Sequence, residues 1–316
     1  MRIAILGATS QIAKDLVLSF SQLSDHALTL FARRPEIVRQ WLTSVSLTER
    51  CAVAGLDDFD VAQQFDVLIN FVGVGNPAQA AIMGASIFDI TLNFDKLALD
   101  YIARHPDCRY IFLSSGAAYG KNFDEPVGLN TSAMVAINVL EPQDWYGVAK
   151  LHAECRHRAL PELPIVDLRV FNYFSSTQDM SSRFLISDIF RAIADGSVLQ
   201  TSADYMVRDY LHPSDFHQLV SAILAAPLSN AAVDCYSMAP IDKPSLLAAM
   251  HEQFGLQFAT SAANVSVNAT GNKPYYYSLN RRAADFGYQP TLTSLECIVQ
   301  EMRKLLPVTP SHPDVR

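Results

Sequence analysis

The sequence predicts an α/β fold: a doubly wound parallel sheet with a smaller, mostly C-terminal α+β lobe. Two observations carry this. Short apolar runs alternate with longer amphipathic segments up to Phe171, and after Phe171 that rhythm breaks. The runs are continuously apolar rather than alternating, which places helices on both faces of the sheet. At 316 residues the chain is long enough for one large unit with a smaller lobe.

In order, IAIL (3–6) reads as a strand and QIAKDLVLSFSQL as its helix, then ALTLF (27–31) as a strand and PEIVRQWL as a helix. A third strand ends before Asp57 and Asp58. DVLINFV (66–72) is the fourth strand, and the helical patterns AQAAIMGASIFDI and LNFDKLALDYIARH follow it. RYIFLSS (109–115) and PIVDLRVF (164–171) are strands on either side of the helix WYGVAKLHAECRHRAL. Beyond them come the loop NYFSSTQD, a helix over 182–195, a polar loop, and a helix near 214–226. VDCYSMAP (233–240) is expected to return a strand to the sheet, and helices near 244–254 and 293–305 close the chain. The expected units are 1–172 with 208–240 returning to it, and a lobe of 173–207 and 241–316. Only the tail PVTPSHPDVR reads as disordered.

The composition excludes several classes. A net charge of −8 and the absence of a Lys/Arg block argue against nucleic acid or an anionic membrane as the main partner. Cys51, Cys108, Cys155, Cys235 and Cys297 are scattered and form no CxxC pair, as expected of reduced thiols in a cytoplasmic protein. The longest uncharged stretch, 67–88, matches a bilayer in length, but it contains Asn70, Asn76, Pro77 and Gln79 and reads as strand, loop and helix. Met1-Arg2 leads straight into the first strand, so no signal peptide is expected.

Gly7-Ala8-Thr9-Ser10-Gln11-Ile12-Ala13 sits between the first strand and its helix. Small residues occupy the three positions where a dinucleotide fold needs a tight turn, close backbone approach and close helix packing, although only Gly7 is glycine. This makes the larger unit a Rossmann-type domain, with Gly7, Thr9, Ser10, Gln11 and Ile12 around a pyrophosphate at the helix start. Val72 and Gly73, ending the fourth strand, are expected to line the same cofactor. An NAD site places an acid about 20 residues beyond the loop. Here the chain instead reads Ala32-Arg33-Arg34-Pro35. Guanidinium groups at that point suit a 2′-phosphate, so NADP(H) is expected over NAD(H), although two solvated arginines opening a helix would look the same. Asp58 is a candidate for the adenine.

Ser114-Ser115 closes one strand, and Tyr146 and Lys150 stand four residues apart on one face of the next helix. A phenol ionises near 10, so acid/base work near neutrality needs a neighbouring cation, which Lys150 supplies. Ser115 would orient the substrate oxygen. His152, Cys155 and His157 do not share a helix face, so no metal site is expected. His212 and His217 read as structural, and Tyr275, Tyr276 and Tyr277 either line a pocket or pack between lobes.

With these motifs in their order the sequence resembles, over nearly its whole length, the extended short-chain dehydrogenases/reductases, the nucleotide-sugar epimerase, dehydratase and reductase group. The resemblance implies Ser115, Tyr146 as acid/base and Lys150 on the nicotinamide ribose. It also implies Asn172, in Leu168-Arg169-Val170-Phe171-Asn172-Tyr173, at the substrate, and Arg208, in Arg208-Asp209-Tyr210-Leu211-His212, on a substrate diphosphate. Arg183, on the helix expected over 182–195, either assists Arg208 or, as a helix-surface arginine more often does, belongs to a solvated face. Ser278 through Pro290 is similar to the family's closing motif. The sequence departs from the family in its phosphate loop, in Phe174-Ser175 after Tyr173, and in the uncharged segment 126–140. The expected activity is NADPH-dependent reduction of a keto group on a nucleotide-activated sugar. The alternatives are an NAD-dependent nucleotide-sugar 4-epimerase and, from another class, a non-catalytic NADP-binding regulator. A homodimer through helices flanking the Tyr146–Lys150 segment is implied by the same resemblance.

Overall fold

The computed structural model describes residues 1–73, 82–261 and 273–306. Seven parallel strands form the main sheet: β1 (Arg2–Leu6), β2 (Ala27–Ala32), β3 (Cys51–Gly55), β4 (Val67–Asn70), β5 (Arg109–Ser115), β6 (Ile165–Val170) and β11 (Ala231–Asp234), in the spatial order β11-β6-β5-β4-β1-β2-β3. The order reverses between β1 and β4, and such a switch point opens a crevice at the strands' C-terminal ends.

Alternate residues of each strand enter opposite cores, as the pleat requires. Ile3, Ile5 and Ile111 pack with α1 (Gln11–Leu23), α2 (Pro35–Ser44) and α6 (Pro213–Ala225), through Leu16, Phe20, Val38 and Phe216. Ala4, Leu6, Tyr110 and Phe112 pack on the other face with α3 (Ser86–Arg104) and α4 (Trp145–Arg158), through Tyr101, Ile102 and Ala153. Burying both faces explains the uninterrupted apolar strands. Truncating a fully buried residue such as Ile111 to Ala would cost about 2–5 kcal/mol.

The smaller lobe has its own core, in which Ile189 of α5 (Leu185–Asp195), Met250 of α7 (Lys243–Phe254) and Ile298 of α8 (Ser294–Leu305) meet. Its strands are short: β7 (Asn172–Tyr173) pairs with β10 (Tyr210–Leu211), β8 (Val198–Ser202) with β13 (Gln257–Ser261), and β9 (Val207–Arg208) with both β12 (Ile241–Asp242) and β14 (Tyr275–Tyr276).

Three details differ from the sequence reading. The returning strand is 231–234, parallel to β6, rather than 233–240. The helix expected over 182–195 starts at Leu185, because Phe184 is extended. Ala283, Phe286 and Tyr288 pack into the main sheet's first core, so the chain crosses back out of the lobe assigned to 241–316. The tail 307–316 and part of the helix expected after β4 lie outside the described residues.

Candidate active site

A cavity of about 760 Å³ runs along the C-terminal edge of the sheet, between it and the smaller lobe. At one end lies the turn after β1. Gly7 has φ +80°, and a Cβ there would stand 2.8 Å from the Val72 nitrogen and 2.9 Å from the Phe71 carbonyl carbon, so no side chain fits. Ser10 precedes α1 without capping it through its side chain, and no acid sits in the first turn. The starting amides, with their partial positive charge, are left without a side-chain partner where Ser10, Gln11 and Ile12 line the cavity. Ala13 is fully buried, keeping the helix close to the sheet. This cradle fits the pyrophosphate of a dinucleotide. Thr9, Val72 and Gly73 line the same stretch.

The remaining cofactor candidates divide. Arg33 is exposed and lines the cavity. Arg34 is exposed but off the wall, where it precedes α2. Asp58 is also off the wall, and its carboxylate accepts the Gly55 amide at 2.9 Å to close its own short turn.

Mid-cavity, Ser115 ends β5 and its Oγ accepts the Ala117 N–H at 3.2 Å. The turn that follows comes very close to α4: a Cβ on Gly147 would be 2.6 Å from the Ala117 oxygen. Glycine after Tyr146 therefore lets the tyrosine approach Ser115. Burial pushes the Tyr146 phenol up, and the Ser115 hydroxyl pulls it back. One turn on, Lys150 donates to the Leu113 carbonyl at 2.6 Å and lies 4.4 Å from the centre of the Phe112 ring. Burial lowers its ammonium to about 8, against the opposing pull of Asp95, Glu154 and Asp167. The sequence reading had Lys150 favouring the phenolate. The ammonium is instead engaged by Leu113, and burial sets the direction of the phenol.

At the far end Arg208 is 4% exposed. Its Nη1 donates to the carbonyls of Val207 (2.9 Å) and Lys273 (2.7 Å), while Nη2 is buried with no hydrogen-bond partner among the described residues. A buried, unmatched guanidinium nitrogen is costly unless an anion meets it, so Arg208 fits a phosphate. Lys273, which the sequence reading did not single out, also lines the cavity; burial and Arg208 lower its ammonium to about 8. Asn172 lines the wall and donates to the Asp209 carbonyl at 3.2 Å. Arg183 is exposed, precedes α5 instead of lying on it, and does not line the cavity, so its support for Arg208 is not seen.

Of the three tyrosines, Tyr276 is the one on the wall, buried with Phe123 and Phe171. Its Oη is 3.4 Å from Ser115 Oγ. Pairing of β14 with β9 puts it beside Arg208. No local pattern marks this position.

Behind the wall the charges are paired. Arg169 meets Glu154 through two nitrogens, and Glu154 accepts the Ser114 hydroxyl at 2.5 Å. His157 lies fully buried between Asp95 (2.7 Å) and Asp167 (2.6 Å). It is therefore a structural ion, and no metal-holding cluster exists among the described residues. His212 is likewise structural, bonded to Ser214 and Glu301. The five cysteines are free, and no described helix is long and apolar enough to cross a membrane.

A Rossmann-type sheet with Ser115, Tyr146 and Lys150 at its switch point defines an extended short-chain dehydrogenase/reductase-type enzyme. The sequence profile of the NAD dependent epimerase/dehydratase family matches residues 3–239, and the chain belongs to that family. No curated protein sequence matches it. Solved structures share its fold over nearly full length. UDP-glucuronic acid 4-epimerase from Bacillus cereus, bound to UDP-glucuronic acid and NAD, aligns with a TM-score of 0.76 at 15% identity, covering 97% of this chain and 100% of that one. UDP-N-acetylglucosamine 4-epimerase from Methanobrevibacter ruminantium M1 gives 0.78 at 15%, covering 96% of each. dTDP-glucose 4,6-dehydratase from Bacillus anthracis, in complex with NAD, gives 0.75 at 13%, again covering 96% of each.

Proposed function

We propose that the protein is an NAD-dependent nucleotide-sugar 4-epimerase. The observation that carries this is one continuous cavity, running from the α1 amides past Ser115, Tyr146 and Lys150 to the unmatched Nη2 of Arg208. The structures it resembles, solved with NAD and UDP-sugars, favour epimerisation over the keto reduction expected from Arg33 and Arg34.

When bound, NAD supplies the hydride acceptor that also returns the hydride. The α1 amides would hold its pyrophosphate and Lys150 its nicotinamide ribose. Tyr146 exchanges a proton with the sugar hydroxyl, while Ser115 donates to the same oxygen as its charge changes. Arg208 anchors the nucleotide diphosphate with a charge-assisted bond. Phe171 and Tyr276 line the same cavity beside Ser115.

A second reading, an NADPH-dependent keto-sugar reductase, rests on Arg33 alone, whose cavity-lining guanidinium suits a 2′-phosphate. Homodimerisation through helices flanking the Tyr146–Lys150 segment and a reducing cytoplasmic setting belong to the same proposal, and sedimentation tests the former.

The experiment incubates the purified protein, with and without added NAD or NADPH, with UDP-glucose, UDP-glucuronic acid, UDP-N-acetylglucosamine and dTDP-glucose, and follows the anomeric protons by NMR. Formation of a 4-epimer with catalytic or no added NAD supports the proposal. A protein that leaves all four unchanged but consumes NADPH stoichiometrically with a 4-keto sugar would establish the reductase instead.

A further inference from the structure

We propose that Tyr276 is a positioning residue, whose hydroxyl fixes Ser115 as a dedicated donor to the reacting oxygen. The argument is a count of hydrogen-bonding capacity. A serine hydroxyl has one proton and two lone pairs. Ser115 Oγ accepts the Ala117 N–H at 3.2 Å, and Tyr276 Oη lies 3.4 Å from it. If Tyr276 donates, both lone pairs are filled, and the serine proton can point only toward Tyr146 and the cavity.

At this distance either oxygen can donate, and the bridging proton is here assigned to Tyr276. Its ring is packed edge-on against Phe123 (centroids 4.8 Å apart) and tilted against Phe171 (5.3 Å). Burial pushes its phenol up, against the opposing pull of the Ser115 hydroxyl and the Ala117 N–H, so it stays protonated and able to donate. The charged and titratable groups around it are Arg208 on β9, 5.9 Å from the ring centre, Lys273 just before β14, 4.6 Å from it, and Tyr146 on α4. Neither cation lies among the groups hydrogen-bonded to its hydroxyl. A chain from Tyr276 through Ser115 to Tyr146 also polarises each bond in turn, which strengthens the serine as a donor. The two phenols thus play different parts: Tyr146 exchanges the proton, and Tyr276 sets the direction of the hydroxyl beside it.

The inference rests on the reading of Ser115 and Tyr146 as the reacting pair, but its test needs no substrate, so it can fail while the epimerase proposal stands, and the reverse. The protein is prepared with tyrosine labelled at the ring Cζ, and the Tyr146 signal, identified by its loss in Tyr146→Phe, is followed through a pH titration. Tyr276→Phe keeps the ring and removes the donor. The expected result is an upward shift of the Tyr146 ionisation in Tyr276→Phe, a larger one in Ser115→Ala, and no further change when Tyr276→Phe is added to Ser115→Ala, because the path runs through the serine. An unchanged Tyr146 ionisation in Tyr276→Phe, or a shift that persists in the Ser115→Ala background, overturns the proposal. A second reading, independent of the Tyr276 variant, is the Tyr276 Cζ signal in Ser115→Ala, which must move if the two hydroxyls are bonded. In whichever nucleotide-sugar reaction is found, Tyr276→Phe should lower kcat about fivefold, the worth of one neutral hydrogen bond, with KM unchanged.

Discussion

Along α4, Tyr146 and Lys150 in the first two turns face the cavity, whereas Arg156, His157 and Arg158 in the last turn are tied to Asp95 and Asp167. At the C-terminal end every charge has a partner within hydrogen-bonding reach, at 2.6 to 2.8 Å. At the N-terminal end Lys150 has only a carbonyl, and Tyr146 a serine hydroxyl. The same helix therefore keeps satisfied charges for holding β5, β6 and α3 together, and leaves unsatisfied ones where ligand must complete the set.

The largest effect that sharpens this contrast is expected from Tyr146→Phe, which should lower turnover about a thousandfold, in the range of a lost acid/base group, with an unchanged thermal midpoint. A comparable fall in melting temperature would show that the tyrosine is structural. The converse is expected of His157→Leu. It leaves two buried carboxylates one cation short and should cost about 3 kcal/mol of stability in denaturant titrations.

The pH dependence of stability separates the same two ends. Asp95 and Asp167 hold the His157 imidazolium up to about 9, against 6.5 when exposed. Its contribution is complete below 6.5 and declines as pH climbs through about 9. A midpoint that keeps rising through that window would contradict the pairing. Arg208→Met comes next: it should weaken binding of UDP, measured calorimetrically, by about 2 kcal/mol while leaving NAD affinity intact. The smallest effect is on NAD itself. Burial holds Lys150 near 8, so affinity should fall a few-fold as pH passes 8 and the ammonium is lost, and Lys150→Met should abolish that dependence.

Much of this was legible in the sequence. The strand 109–115 coincides with β5 because six of its seven residues are buried, on both faces, and leave a nearly unbroken pattern. Gly7, Ser115, Tyr146, Lys150 and Arg208 fall on the cavity wall because each belongs to a local motif. Arg183 was misplaced because amphipathic spacing continues past the true helix start, and only the extended backbone at Phe184 reveals the end. Tyr276 was legible only as one of three tyrosines that line a pocket or pack between lobes, and Lys273 not at all, since two-residue strands such as β9 and β14 are too short to show a period, and their pairing joins segments far apart in the chain. The His157 cluster was hidden for the same reason: its aspartates come from α3 and β6. Arg33 shows the opposite limit, because a basic pair after β2 says where a charge lies and not which ribose it meets.

The most direct test of the account is a crystal structure of Tyr146→Phe with NAD and UDP-glucose. The account predicts the pyrophosphate on the α1 amides, the nicotinamide ribose on Lys150, and the sugar diphosphate on Nη2 of Arg208, with the sugar between Ser115 and the Tyr276 ring. A diphosphate bound away from Arg208, or a nicotinamide out of reach of residue 146, would contradict it.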